Sequence, residues 1–219
     1  MKTAIIGAGP RGVLTISALI NQYKNRTDKE QPLTIELFDS YPIGGRVWKL
    51  DQWPGLIMNT PPADQVTLFT DASVTLSSPV FDGPSLFEWA TSDLATNYLT
   101  ENKLASELIT AAQNLGPKDY APRALFGAYI QWFYAQLLSQ LPFNVHINFH
   151  QELVVRLDRL KNSSITLTTS EQEYMVDSVT ISLGQQENYL TEAEQTLALY
   201  ANEHNLSYTP PLPVLQTLI

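Results

Sequence analysis

No cysteine occurs anywhere in the 219 residues. Disulfides, thiolate nucleophiles and cysteine-based zinc sites are therefore excluded. No apolar run approaches the roughly 20 residues that a membrane-spanning helix needs, so no membrane partner is expected. Positive charge is scarce: 13 Lys and Arg stand against 22 Asp and Glu, a formal net charge of −9. A field of that sign repels phosphate backbones, so nucleic acid is not an expected partner. A single dinucleotide is a different matter, because backbone N–H groups at a helix N-terminus hold a pyrophosphate without any lysine. There is no Gly-x-Ser-x-Gly elbow and no readable Ser/His/Asp set. His146 and His150 share strand parity, but two imidazoles without a carboxylate or cysteine cluster make a poor metal site, and none is expected. Asp158 and Glu152 read as solvated. The N-terminus is too short and glycine-rich for a signal peptide. The Asn-x-Ser/Thr triplets at Asn25, Asn162 and Asn205 then read as chance matches, and the expected compartment is the cytoplasm.

What remains is an ordinary globular composition, 44% hydrophobic and 16% charged, with enough length to bury a core. Thr3–Ile6 is a short apolar run that opens onto glycines and predicts a buried parallel strand. Val13, Leu14, Ile16, Ala18, Leu19 and Ile20 recur at helical spacing from Pro10 to about Tyr23. Leu33–Phe38 predicts a second strand, which completes a βαβ unit over residues 1–40. Residues 41–83 carry no sustained period and predict a long, ordered, irregular segment. Ser85, with Glu88 three residues on, is a capping box for a helix reaching about Tyr98. Pro122 to about Leu141 predicts a core-facing helix with the stripe Phe126, Ile130, Phe133, Leu137 and Leu141. From Asn144 the period changes to two. Leu153–Leu160, Ile165–Thr169 and Tyr174–Leu183 then predict a β-meander. Thr191–His204 predicts a last helix.

The chemistry concentrates in Gly7-Ala8-Gly9-Pro10-Arg11-Gly12, a GxGxxG run between strand and helix. Gly7 makes the turn off the strand, Gly9 lets backbone approach a pyrophosphate, and Gly12 lets helix and strand pack closely. Pro10 is tolerated in the first helical turn, where its missing N–H has no partner to lose. Asp39 ends the second strand, where a carboxylate accepts hydrogen bonds from ribose hydroxyls. Glu36 is the rival acid, but mid-strand it is expected to face solvent. A purely structural Asp39 that caps a turn is the other reading.

Ser40 through Trp48, SYPIGGRVW, extends the pattern. The run from Asp39 and Ser40 to Gly44-Gly45-Arg46 resembles the acid-then-GGR pattern of glutathione-reductase-type and amine-oxidase-type FAD domains. Taken together, GAGPRG, FDSYPIGGRVW, NTPPADQVTLFTD, APRALFGAYIQWF and SLGQQ resemble bacterial FAD/NAD(P)-binding proteins related to the N-hydroxylating monooxygenases. The resemblance runs from Thr3 to about Tyr208. It implies an α/β, Rossmann-like FAD/NAD(P)-binding fold over residues 1–208: the βαβ unit (1–40), an irregular and helical insert (41–142), a third strand and meander (143–184), and a helix (191–204). Residues 209–219 read as a tail or linker. It further implies FAD as cofactor, with Gly44, Gly45 and Arg46 near the pyrophosphate or ribityl chain. Glycines there permit close backbone approach, and Arg46 can offset phosphate charge. Ser182-Leu183-Gly184 stands where such proteins carry Ala-Thr-Gly beside the cofactor; a strand that merely ends in glycine is the alternative.

Two departures qualify the resemblance. There is no second GxGxxG, so no NAD(P)H-binding domain is recognisable, and there is no Gly-Asp dipeptide of the kind expected in a late flavin-site segment. A fragment is therefore expected, whose partners are a dinucleotide and either a further C-terminal domain or a second copy. Three functions stay open. One is the FAD domain of a flavin-dependent oxidoreductase, monooxygenase-like, with NAD(P)H as donor in the complete protein. The second is a non-catalytic or incomplete dinucleotide-binding module, for FAD or NAD, without independent activity. The third keeps the βαβ unit but changes the ligand to NAD or S-adenosylmethionine, and the GGR segment favours FAD over these.

Overall fold

The computed structural model describes residues 1–27, 31–53, 55–59, 61–70, 81–159, 164–184 and 191–208. The chain divides into two compact units, Met1–Leu183 and Gly184–Ile219.

The first unit is built on a parallel sheet. Strand β1 (Lys2–Ile6) lies between β2 (Leu33–Phe38) and β7 (Ser178–Ile181), and β3 (Val145–His150) flanks β2, giving the order β3-β2-β1-β7. Strands β1 and β2 read as continuous apolar runs because both of their faces are covered. Strand parity assigns the faces. Ile5, Leu33, Ile35 and Leu37 join the main core with helix α1 (Pro10–Lys24) and helix α5 (Arg123–Ser139). Ala4, Ile6 and Phe38 point the other way, onto Leu167 and Val176. Those two come from an antiparallel sheet of β4 (Val154–Arg159), β5 (Ile165–Thr169) and β6 (Glu173–Val176). The unit is thus three layers deep: helices, parallel sheet, antiparallel sheet.

The predicted βαβ unit forms with its expected bounds to within a residue at each end. Helix α5 is buried on nearly all sides through its first three turns, from Ala124 to Phe133, where the sequence indicated a single stripe. Its other sides are covered by described residues between 41 and 70. Adding a Cβ at Gly127 would drive it into the Trp48 carbonyl, so glycine is what lets that segment lie on the helix. Its described residues carry no helix or strand apart from a 3-10 turn at Ala63–Gln65. It is pinned to α5 by Met58 N–H to the Ala121 carbonyl and Arg123 N–H to the Leu56 carbonyl. The Tyr129 hydroxyl, buried in this layer, donates to the Pro84 carbonyl at 2.6 Å and accepts from Leu68 N–H at 3.3 Å. Residues 71–80 of the predicted irregular segment, and the predicted tail, lie outside the described residues.

Several expectations need correction. The helix foreseen from Ser85 to about Tyr98 is two, α2 (Leu86–Ala90) and α3 (Asp93–Glu101). The capping box forms as expected. At the break, however, the Thr91 hydroxyl donates to the Phe87 carbonyl and the Ser92 hydroxyl to the Trp89 carbonyl, the local competition that ends helices. Helix α4 (Ser106–Gln113) was not foreseen. The last meander strand is also two. After Val176 the chain leaves the antiparallel sheet at Asp177, which accepts Lys2 N–H at 2.7 Å and donates its own N–H back to the Lys2 carbonyl at 2.8 Å. From there β7 runs parallel to β1.

Glu36 does not face solvent. Its side chain is 5% exposed, with Lys2 Nζ at 2.9 Å and His150 Nε2 at 2.6 Å. Its parity turns it away from the helices, but the antiparallel sheet covers that side. The same cover places carboxylates around His150, contrary to the sequence reading. Glu36 lies on one edge of the ring, and Glu152 Oε1 lies 3.9 Å from Nδ1. The ring stacks on Phe38 at 4.7 Å. Glu152 is engaged rather than solvated, accepting from the hydroxyls of Thr169 at 2.6 Å and Tyr174 at 2.8 Å. Asp158 is 40% exposed and pairs with Arg156.

The second unit contains α6 (Glu192–Glu203), capped by Thr191 with Glu194 in a second capping box. Gly184 opens this unit with φ +66°. No helix among the described residues is long and apolar enough to cross a membrane.

Candidate functional site

Strand β1 stops at Ile6 and the chain turns through Gly7, whose N–H donates to the Phe38 carbonyl at 2.7 Å. Gly7 has φ +107°, and a Cβ there would strike the Ser182 carbonyl. Gly12, one turn into α1, would place a Cβ on the Gly7 carbonyl. These two glycines are required by the protein's own packing. Gly9 is different. It caps α1 in extended backbone, φ −71° and ψ −176°, which any residue adopts, and a Cβ there would meet only the Gly44 carbonyl oxygen at 3.8 Å. Nothing among the described residues demands glycine at that position. What a Cβ would fill is the space between the glycine turn and the Gly44-Gly45 loop.

The amides at this end of α1 are open. Pro10 has none, and the N–H groups of Gly9, Arg11 and Gly12 meet no acceptor among the described residues, while Val13 N–H is the first to close on the Gly9 carbonyl. Helix α1 has no acidic residue in its first turn, so its positive end is uncompensated on its own element.

The Gly44-Gly45 loop comes up against the turn. Gly44 N–H donates to the Ala8 carbonyl at 2.9 Å, and both glycines have positive φ, +108° and +68°. A Cβ on Gly45 would lie 3.4 Å from Asp39 Oδ2 and 3.5 Å from the Gly9 nitrogen. Asp39 sits beneath both loops. Its Oδ2 accepts Ala8 N–H at 2.7 Å and its Oδ1 accepts Tyr41 N–H at 2.9 Å. Ser40 is exposed, and its carbonyl accepts from the Gln151 amide at 3.4 Å. Arg11 is exposed and Arg46 half-buried. A cleft of about 460 Å³ continues from Gly45 along Tyr41, Ile43, Trp48 and Gln131.

The structure thus brings Gly7, Gly9, Pro10, Gly12, Asp39, Gly44 and Gly45 to one end of the parallel sheet, at the carboxyl ends of β1 and β2, where open α/β sheets bind ligands. Gly184 belongs to the second unit and is described with it.

A family model described as FAD-NAD(P)-binding matches residues 4–186. The chain belongs to the FAD/NAD(P)-binding family. Among curated relatives, this family member is 35% identical to nitrosuccinic acid synthase of Aspergillus oryzae over 214 residues, 95% of this chain and 30% of that protein. It is 32% identical to L-aspartate N-monooxygenase (nitrosuccinate-forming) of Streptomyces davaonensis over 217 residues, 94% of this chain and 33% of the relative. The FAD/NAD(P)-binding chain therefore spans about a third of the length of these relatives. Among solved structures, it aligns with L-lysine 6-monooxygenase from Pseudomonas syringae at 17% identity and TM-score 0.46, over 89% of this chain and 40% of that one.

The residues present fit the dinucleotide that the family model describes. Three open amides, a helix start without an acid, and a cradle that one Cβ would fill are the features that a pyrophosphate requires. Sequence reasoning missed the contacts that hold this cradle, namely Ala8 and Tyr41 on Asp39 and Gly127 under Trp48. The glycine inside the APRALFGAYIQWF helix was the available signal for the last.

Proposed function

We propose that this chain is the FAD-binding portion of a flavin-dependent oxidoreductase of the N-monooxygenase type, with the FAD pyrophosphate at the start of α1. The observation that carries the reading is Gly9, a residue whose lack of a side chain serves no packing purpose among the described residues and opens the gap beside three amides that meet no acceptor among them. Gly9, Arg11 and Gly12 would donate to phosphate oxygens, and Arg11 and Arg46 would offset the charge. Gly44 and Gly45 would wall the other side, with Ser40 at the ribose end. FAD, when bound, supplies the redox chemistry, and the chain binds and orients it. The match of the FAD-NAD(P)-binding family model over residues 4–186 supports FAD over S-adenosylmethionine. NAD(P)H as donor would need a site that a single glycine fingerprint does not supply, on a further domain or a second copy.

A second reading, a dinucleotide-binding module without independent activity, is favoured by that same single fingerprint. Titration of the purified chain with FAD, followed by quenching of flavin fluorescence, tests the first. Saturable binding that Gly9→Ala weakens at least about tenfold is expected. Binding of S-adenosylmethionine or NAD in preference to FAD would overturn it.

A further inference from the structure

His150 joins the polar side chains of the two sheets, at the end of the parallel sheet that carries the cradle, where its own carbonyl accepts Asp39 N–H at 3.2 Å. One ring nitrogen, Nε2, lies 2.6 Å from Glu36 Oε2 on β2. The other Glu36 oxygen faces Lys2 Nζ from β1 at 2.9 Å, an ammonium that favours the ionised carboxylate. A carboxylate only accepts, so Nε2 carries a proton. The second nitrogen, Nδ1, lies 3.2 Å from the Tyr174 hydroxyl oxygen on β6. That hydroxyl has one proton, which it donates to Glu152 Oε1 at 2.8 Å. Its oxygen accepts the Gln172 side-chain amide at 2.7 Å, which leaves one lone pair for Nδ1. Were Nδ1 bare, two lone pairs would face each other. Were Tyr174 to turn its proton to Nδ1, its oxygen would face the Glu152 carboxylate with no hydrogen between them. A proton on each ring nitrogen satisfies every one of these contacts.

Charge gives the same answer. The charged and titratable groups around this ring are Glu36 from β2 with Lys2 from β1 behind it, Glu152 from the link between β3 and β4, and Tyr174 from β6. Glu36 is buried, and Glu152 and His150 are half-buried. With an imidazolium, two cations balance two carboxylates. A neutral ring leaves one negative charge without a partner between the sheets. We propose that His150 is held as an imidazolium that latches the antiparallel sheet to the parallel sheet, and that loss of its proton releases the latch as a pH-sensitive switch. Once the ring is neutral, either the bond between His150 and Tyr174 or the bond from Tyr174 to Glu152 is lost. What then holds Tyr174 on this side is its edge-on packing against Phe38, with ring centroids 4.9 Å apart.

The experiment uses the full chain without ligand, isotopically labelled at the histidine nitrogens. His146→Gln and His204→Gln, both at exposed positions, identify the His150 signals by elimination. At about pH 7 the wild type should show both His150 ring nitrogens protonated. A bare Nδ1 would overturn the proposal, whether or not any other variant folds. Raising the pH then removes the proton, and the same signals give its affinity. Glu36→Gln and Glu152→Gln should each weaken that affinity at least about threefold, because each removes a negative charge beside the ring. An affinity unchanged in either variant would overturn the placement of the ring between two working carboxylates. Melting temperature is followed over the same pH range. A proton bound more tightly by the folded chain than by the unfolded one adds stability while the ring is charged, and that stability is lost as pH rises through the folded-state titration. The wild type should therefore lose melting temperature across that titration relative to His150→Gln. Parallel curves would overturn the switch.

Discussion

Gly9 and Gly12 lie three residues apart in one motif, yet the structure separates their roles sharply. In Gly12→Ala the new methyl meets the Gly7 carbonyl and, at 3.6 Å, Ile5 Cγ2. The carbonyl is backbone, fixed by the turn off β1, so the helix itself must move. Relief of glycine's helical entropy returns at most about 1 kcal/mol. Against a clash of about 3–4 kcal/mol, the net loss is about 2–3 kcal/mol. For a chain of this length that lowers Tm by roughly 5–10 °C. In Gly9→Ala the methyl meets one oxygen at 3.8 Å, ordinary contact, and the extended backbone is undisturbed. Replacing a glycine N-cap by alanine costs about 0.5–1 kcal/mol, so Tm falls by only roughly 1–4 °C. The methyl does occupy the gap that a pyrophosphate needs, so FAD affinity falls at least about tenfold, or 1.4 kcal/mol. The assay is a thermal melt of both ligand-free variants, paired with FAD titration. The reasoning is refuted if Gly9→Ala melts as low as Gly12→Ala, or binds FAD as the wild type does.

Glu36→Gln strips a charge from between Lys2 and His150; with Lys2 40% exposed, a loss of about 1–3 kcal/mol in urea denaturation is expected. Stability should also fall with acid. Burial raises the Glu36 carboxyl, but hydrogen bonds from His150, Lys2 and Asn148 outweigh it and hold its pKa below the ordinary value; hydrogen bonds, first that from Thr169, do the same at Glu152. Groups with depressed folded pKa values contribute stability above the unfolded carboxylate range and lose it as pH falls through the folded values. Tm should therefore drop on acidification below about pH 4.5, and Glu36→Gln should flatten that slope; an unchanged slope would remove Glu36 from the account. Tyr129→Phe orphans Leu68 N–H and the Pro84 carbonyl and should cost about 1–3 kcal/mol by the same denaturation. The Tyr129 phenol, pushed up to about 12 by burial, should stay un-ionised in absorbance titrations until well above pH 10. Excess FAD and NADPH added to the chain under air should give no NADPH loss above that of free FAD, because one fingerprint offers no second site to bring the nicotinamide close; steady turnover would place that site on this chain.

The βαβ unit was legible because local signals and tertiary pairing agree there. Strand, glycine turn and helix are each written in consecutive residues. What escaped depends on layers brought from elsewhere. Glu36 reads as a solvent-facing position until the antiparallel sheet, more than a hundred residues later, closes over it. The break at Asp177 is invisible in a run of alternating residues from Tyr174 to Leu183, because only pairing with β1 separates the parallel half from the antiparallel half. Helix α4 is a short element whose buried residues, Leu108 and Ala112, give a weak stripe. At the site, the glycines were legible by type, but their division of labour was not. Which carbonyl a Cβ would strike is a question about Ser182, Gly7 and Gly44. Asp39 was read as a ribose acid or as a turn cap, and the sequence cannot show that Ala8 and Tyr41 present their amides to it.

The most direct test of the central claim is an amide spectrum of the isotopically labelled chain titrated with FAD and with ADP. The account predicts that the N–H signals of Gly9, Arg11 and Gly12 shift first and furthest with both ligands, followed by Gly44 and Gly45. Saturating FAD that leaves those five amides unmoved, or moves a different surface, would contradict it.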